Sequence, residues 1–311
     1  MEQAIIPHIY SETGRLRKVV LGIADHIGPT PRIEDCYDAK SRESVQLGIY
    51  PQEADLINEM EAFRAILEKY DVEVLRPKNI EDLNQVFARD ISFAMEDKFI
   101  LPNIIEDREQ EAEGIKKIRA SIHEDHYLEF RDGVYAEGGD VMPYRNYLFV
   151  GYSNDEEREE FKTARTNEKA LARLGEIFPD REVKGFRLNK SDIDPREGVL
   201  HLDCCFQPIG THEAIIYPEG FKYQEDIDFL FELIGKENLI EVDKEEFYRM
   251  FPNVFSISPE VIVSNKSFVR LNEELRKRGY TVEEVPYDEV SKMGGLLRCS
   301  TMPIIRDTII E

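Results

Sequence analysis

Four stretches of the chain read alike: ISFAMEDKFILPN (91–103), VMPYRNYLFVGYS (141–153), CFQPIGTHEAIIYP (205–218) and VFSISPEVIVSN (254–265). Each is an apolar run, a short polar turn and a second apolar run, the pattern of a β-hairpin. RKVVLGIAD (17–25) opens a fifth such unit, and a strand around Ile304 and Ile305 completes it from the other end of the chain. Helical segments lie between the hairpins. LEKYDVEVLRP (67–77) and LRKRGYTVEEVP (275–286) both read as the end of a helix, a turn, a strand and a proline. In the first of these helices Leu56, Ile57, Met60, Phe63, Ile66, Leu67 and Tyr70 form one apolar stripe at helical spacing. In the second, Phe268, Leu271 and Leu275 do the same, and Gly279 marks the stop. Hairpin-plus-helix modules repeated about five times predict a closed, propeller-like α/β domain. No Pro/Gly/Ser-rich linker or change of composition divides residues 1–311, so one domain is expected.

Composition narrows the function. The chain carries 63 acidic and 40 basic side chains, a formal net charge of −23. A nucleic-acid surface needs clustered Lys and Arg, and an anionic membrane surface repels such a chain, so neither partner is expected. No apolar run approaches the length of a membrane span, and the opening residues lack a secretory pattern. The four cysteines, Cys36, Cys204, Cys205 and Cys299, are too few and too irregular for a disulfide framework. A reducing cytoplasm is the expected setting. Association with further copies of itself is left open. Acidic runs at 105–113 and 154–160 read as solvated helix faces or loops.

Three hairpins follow directly on short polar phrases, FARD (87–90), EGGD (137–140) and HLD (201–203), and the last strand follows GGLLRC (294–299). Strand ends that converge on one rim are where a site is built. Together the phrases supply Asp90, Glu137, Asp140, His201, Asp203 and Cys299. Taken singly, each has an ordinary structural reading; their combination and order are what is specific. A thiol becomes a strong nucleophile once its proton is removed or a cation stabilises it. His201 is a candidate base and acid, with Glu137 orienting the imidazole. Acyl transfer would call for oxyanion donors, whereas Asp90 and Asp203 repel an oxyanion and suit a cation. A planar guanidinium offers five N–H donors to paired carboxylates. The set points to attack of a thiolate on a guanidinium carbon.

The order FARD, EGGD, HLD, GGLLRC resembles that of the guanidino-group-modifying enzymes: arginine deiminases, dimethylarginine dimethylaminohydrolases and amidinotransferases. GRLRKVVLG (14–22) resembles their opening strand, and the resemblance spans about residues 10–307. It implies the five-bladed α/β-propeller, or pentein, fold in a single catalytic domain over 1–311. It further implies Cys299 as nucleophile, His201 as general base and acid, Glu137 as the carboxylate that orients it, and Asp90 and Asp203 as the grip on the guanidinium. For the amino-acid end of the substrate it implies Asn84, six residues before Asp90, then Arg108, then Arg165 of an Arg-Thr pair set back by NDEEREEFKT (154–163). The implied activity is hydrolysis of L-arginine or a close derivative to citrulline and ammonia, or onward to ornithine as in arginine dihydrolases. Amidino transfer to an amine and hydrolysis of dimethylarginine are the alternatives. This chemistry calls for no cofactor and no metal.

Other classes fit less well. A cysteine protease or amidase leaves Asp90 and Asp203 without a purpose. A zinc site drawn from His201, Cys204 and Cys205 lacks any CxxC or HExxH spacing. Nucleotide-binding glycine loops are absent from the sequence. A non-catalytic arginine-binding module would not require all five reactive groups.

Overall fold

A computed structural model describes residues 4–131 and 133–309. Its fifteen strands form five separate three-stranded sheets. Strand β1 (Leu16–Leu21) and β2 (Glu73–Leu75) belong to the first blade. The second holds β3 (Phe93–Met95), β4 (Lys98–Leu101) and β5 (Tyr127–Glu129), and the third β6 (Val141–Tyr144), β7 (Tyr147–Tyr152) and β8 (Glu182–Arg187). The fourth holds β9 (Phe206–Ile209), β10 (Glu213–Ile216) and β11 (Leu239–Glu241), and the fifth β12 (Phe255–Ser258), β13 (Val261–Asn265) and β14 (Thr281–Val285). The last strand, β15 (Thr301–Arg306), pairs antiparallel with β1, with Lys18 opposite Ile305 and Leu21 opposite Thr301. It completes the first blade and closes the ring.

Every blade repeats one topology: an antiparallel pair, a hairpin in all but the first, then a third strand parallel to the pair's central member. A parallel neighbour cannot be reached by a tight turn, so each blade needs a crossover. The helices Glu53–Lys69, Lys116–Ser121, Glu168–Ile177, Gln224–Ile234 and Val269–Lys277 supply it. Strands β3, β6, β9, β12 and β15 are buried almost throughout, whereas β2, β5 and β14 are partly exposed. The former therefore line the propeller axis and the latter its rim. The turns of two hairpins are set by Glu96 and Arg145, both at φ 51°.

The long helix Glu53–Lys69 shows how the pattern builds the core. Leu56, Met60, Phe63 and Leu67 are fully buried, one per turn of its apolar stripe. Phe63 stands edge-on to Phe255 of β12 and to Tyr287, with ring centroids 5.8 and 5.6 Å apart, so it joins the first blade to the fifth. The Phe63→Ala variant is expected to lose about 3–5 kcal/mol of stability through lost transfer energy and the cavity left behind. Urea unfolding followed by circular dichroism measures this; a loss below about 1 kcal/mol would mean that the joint between these blades is not where the core is held.

Candidate active site

The five axial strands all begin at one end of the propeller, and the residue or phrase before each turns inward there. FARD forms the short helix Ala88–Ile91 ahead of β3; EGGD and HLDC form single 3-10 turns ahead of β6 and β9; Cys299 lies two residues before β15. The structure thus brings Asp90, Glu137, His201, Asp203 and Cys299 together, each no more than 3% exposed. The fifth blade adds Asn253, just ahead of β12 and fully buried, which the sequence reading passed over. Its signal was positional, since it precedes its hairpin as the polar phrases precede theirs.

His201 and Glu137 form the central pair. Imidazole Nε2 donates to Glu137 Oε2 at 2.8 Å, while Nδ1 lies 3.6 Å from Asp90 Oδ1 with no hydrogen-bond partner among the described residues. The ring packs directly on the backbone of Gly139, where a Cβ would fall 2.7 Å from Nδ1, so only glycine fits. Burial works against a charged imidazole, but Asp90, Asp140 and the Glu137 bond outweigh it and raise His201 to about 9. Burial likewise works to raise Glu137, but Arg165 and His201 hold its carboxyl well below the usual range.

Three arginines sit on the carboxylates. Arg108 donates to Asp90 Oδ2 at 2.7 Å, to both oxygens of Glu111 and to the carbonyl of Phe87. Arg165 Nη1 donates to both oxygens of Glu137, at 3.1 and 3.0 Å. Arg298 donates to Asp203 Oδ2 at 2.9 Å and grips Glu12 with two bonds. Glu111 lies in an acidic run expected to be solvated; it is 2% exposed because Arg108 draws it inward. Arg89 does not pair with its neighbour Asp90, and its Nε turns instead to the carbonyl of Arg298. Asn84 is half-buried, and its Oδ1 accepts from the N–H of Val86 in a local turn. Asp90, Glu137 and His201 present ligand atoms within 4.8 Å of one another, a spacing suited to a cation. Arg108 and Arg165 lie against two of them.

The sulfur environment is acidic. Cys299 donates to Asp203 Oδ2 at 3.7 Å and Cys204 to Oδ1 of the same carboxylate at 3.6 Å. The Cys204 contact, burial and the charges of Asp203 and Asp90 push the Cys299 thiol well above its ordinary value. Cys204 and Cys205 lie on the turn ahead of β9, and while Cys204 faces Asp203, Cys205 donates to the Leu202 carbonyl. Neither joins His201 in a metal-like cluster among the described residues.

Between β1 and the helix Glu53–Lys69, residues 36–46 fold over this end of the ring. The Tyr37 ring lies 5.7 Å from the Arg165 guanidinium and 6.0 Å from that of Arg108, and Asp38 packs on Gly294. Glu43 fastens the segment by accepting from Tyr248 at 2.6 Å, and Lys40 lies over the Tyr248 ring. A cleft of about 50 Å³ lined by Asp38, Lys40, Tyr248, Met250 and Gly294 reaches Cys204.

Comparison with known proteins follows this geometry. The family model for eukaryotic N,N dimethylarginine dimethylhydrolase matches residues 36–306. The chain belongs to this family. It is 30% identical over 297 residues to the uncharacterized protein YkgA of Bacillus subtilis, covering 95% of this chain and 94% of that one. It is 27% identical over 206 residues to the arginine deiminase of Listeria innocua, covering 56% of this chain and about half, 48%, of the deiminase. The N-terminal domain of ArgZ, an arginine dihydrolase of cyanobacteria, was crystallised covalently bonded to a reaction intermediate. It superposes with a TM-score of 0.74 at 19% identity, over 93% of this chain and 98% of that domain. The fold is the five-bladed pentein propeller of guanidino-modifying enzymes. Among the described residues no helix is long and apolar enough to cross a membrane.

The raised His201 value has a measurable consequence. Its protonated form contributes stability that is complete below the ordinary 6.5 and is lost as pH rises through about 9. The melting temperature is therefore expected to fall between pH 6.5 and 9 through this group, and His201→Gln to flatten that part of the curve. Parallel slopes for the two proteins would remove the imidazolium from the resting site.

Proposed function

We propose that residues 1–311 act as one cytoplasmic catalytic domain, a cysteine-dependent hydrolase of the guanidinium group of L-arginine or a methylated derivative. The supporting observation is the pairing of a thiol with two carboxylates that still have acceptor capacity. Asp90 Oδ1 has no hydrogen-bond donor among the described residues, and Asp203 Oδ1 has only the weak donor Cys204. A planar guanidinium supplies N–H groups to both.

In the mechanism that follows, the substrate switches on its own nucleophile. Without it, Cys204, burial and the two aspartates keep Cys299 a thiol. A guanidinium between Asp90 and Asp203 offsets their charge, and the thiol ionises, giving its proton to solvent water. Sγ bonds to the guanidinium carbon, and the carbon–nitrogen bond breaks. The departing amine takes the proton from His201, which enters the cycle charged. The now neutral imidazole accepts a proton from water as it attacks the thiouronium. The carbon–sulfur bond then breaks, releasing citrulline and restoring the thiolate. Ammonia leaves from arginine, and a methylated amine from methylarginine. A second cycle on citrulline would give ornithine, carbon dioxide and ammonia.

Asn84, Arg108 and Arg165 are assigned to the amino-acid end. Arg108 already gives its donors to Glu111, Asp90 and the Phe87 carbonyl, and Arg165 gives its own to Glu137 and to the carbonyls of Tyr37 and Lys162. Carboxylate recognition by either requires an internal pair to open. Agmatine, which lacks the carboxylate, tests this: kcat/KM for arginine is expected to exceed that for agmatine by about a hundredfold or more. Equal values would return Arg108 and Arg165 to purely internal roles.

The deciding experiment is product analysis with arginine and with dimethylarginine, each with and without glycine. Citrulline is expected regardless of glycine, and Cys299→Ser is expected to lower the rate by several powers of ten. Glycine-dependent formation of a new guanidino compound would replace hydrolysis by transfer. Activity in Cys299→Ser within about tenfold of the unaltered protein would remove the nucleophile assignment.

A further inference from the structure

Asn253 deserves a role of its own because its amide cannot be turned around. Oδ1 accepts from the backbone N–H groups of Arg298 at 3.0 Å and Cys299 at 3.2 Å. Those donors fix which end of the amide is oxygen. Nδ2 must then face the other way, where it donates to the Asp203 carbonyl at 3.1 Å and to Cys299 Sγ at 3.2 Å. The side chain is fully buried and all its contacts are to the loops that carry Asp203 and Cys299.

The other groups facing the sulfur give Asn253 its importance. Asp203 comes from the fourth blade, Cys204 from the same turn, and Asp90 from the second blade; Tyr287 is in electrostatic reach from the fifth. The carboxylates oppose a negative sulfur, and Cys204 spends its S–H on Asp203. Arg298, the adjacent cation, is taken up by Glu12 and Asp203. Among the described residues, Asn253 alone turns an N–H toward Cys299 Sγ. We propose that Asn253 is a catalytic residue: its Nδ2–H stabilises the Cys299 sulfur when it carries negative charge, both as it attacks and as the carbon–sulfur bond breaks. This rests on the reading of Cys299 as the nucleophile. The fixed amide offers its donor without reorganising, which is where a hydrogen bond to a developing charge is worth most.

The test measures the sulfur without a substrate. Alkylation of Cys299 by iodoacetamide, read by peptide mass spectrometry, is followed in the pH range where the rate rises tenfold per pH unit. There the ratio of two proteins' rates reports the ratio of their thiolate fractions. Asn253→Ser and Asn253→Asp, each checked by circular dichroism for retained fold, are both expected to react at least about tenfold more slowly than the unaltered protein at equal pH. Their kcat for arginine should fall while KM stays within a few-fold. Alkylation rates within threefold of the unaltered protein overturn the proposal. So does slowing in Asn253→Asp alone, which would implicate the added charge rather than the lost donor. If both variants unfold, the side-chain amide protons of Asn253 are followed by NMR in the unaltered protein as pH rises through ionisation of Cys299. Downfield movement of one proton supports the proposal, and a static pair overturns it. Alkylation requires no turnover, so failure of the unaltered protein to hydrolyse arginine would sink the functional reading and leave this result standing.

Discussion

Everything at the head of the propeller depends on how one buried guanidinium is satisfied. Arg298 is fully buried, immediately before Cys299, and its donors reach three directions. Two bonds go to Glu12, one to Asp203, and others to the carbonyls of Gly138, Gly139 and Val141. One side chain therefore ties the closing strand to the third and fourth blades and to the N-terminal segment. A buried charge is tolerated only when paired and hydrogen-bonded, and removing one partner typically costs about 3–5 kcal/mol. Arg298 holds both Glu12 and Asp203 in place, and Glu12 is held ionised, down to about 2, by Arg298 and Arg89 against the opposing effect of burial. The rigidity of the carboxylates that face a substrate is inherited from this web.

The same web accounts for the charge states of the imidazole and the thiol. The imidazole is charged and the thiol is not. Each carboxylate near the sulfur raises the thiol, while Arg108, Arg165 and Arg298 restrain the carboxylates from the other side. A site balanced this closely responds to one added cation.

Much of the fold was legible because its repeat is written in hairpins. The four quoted stretches contain β3 to β4, β6 to β7, β9 to β10 and β12 to β13, and the first and last strands meet as expected. The third strands were legible only in the first and fifth blades, where an amphipathic helix leads to a proline. In the second and fourth, β5 and β11 have three residues each and no proline follows them to mark the unit's end. The polar phrases picked out five side chains that the structure brings together. Asn253 escaped because an asparagine after proline reads as a turn residue, and nothing local tells that its amide spans two loops. Glu12 and Arg298 escaped as a pair because 286 positions separate them. Glu111 was misjudged because an acidic run predicts solvation only while no buried arginine stands beneath it.

The place of β15 bears on how the molecule comes into being. It is the last of the fifteen strands in chain order, and it brings both the seal of the ring and Cys299. During synthesis the four blades that follow β1 can collapse on their own hairpins and helices, while β1 and β2 wait for a partner. A chain halted anywhere before residue 299 lacks the seal and the sulfur alike. Ribosomal order thereby brings Cys299 to the head of the ring only after the segments that carry Asp90, Glu137, His201 and Asp203 have been made.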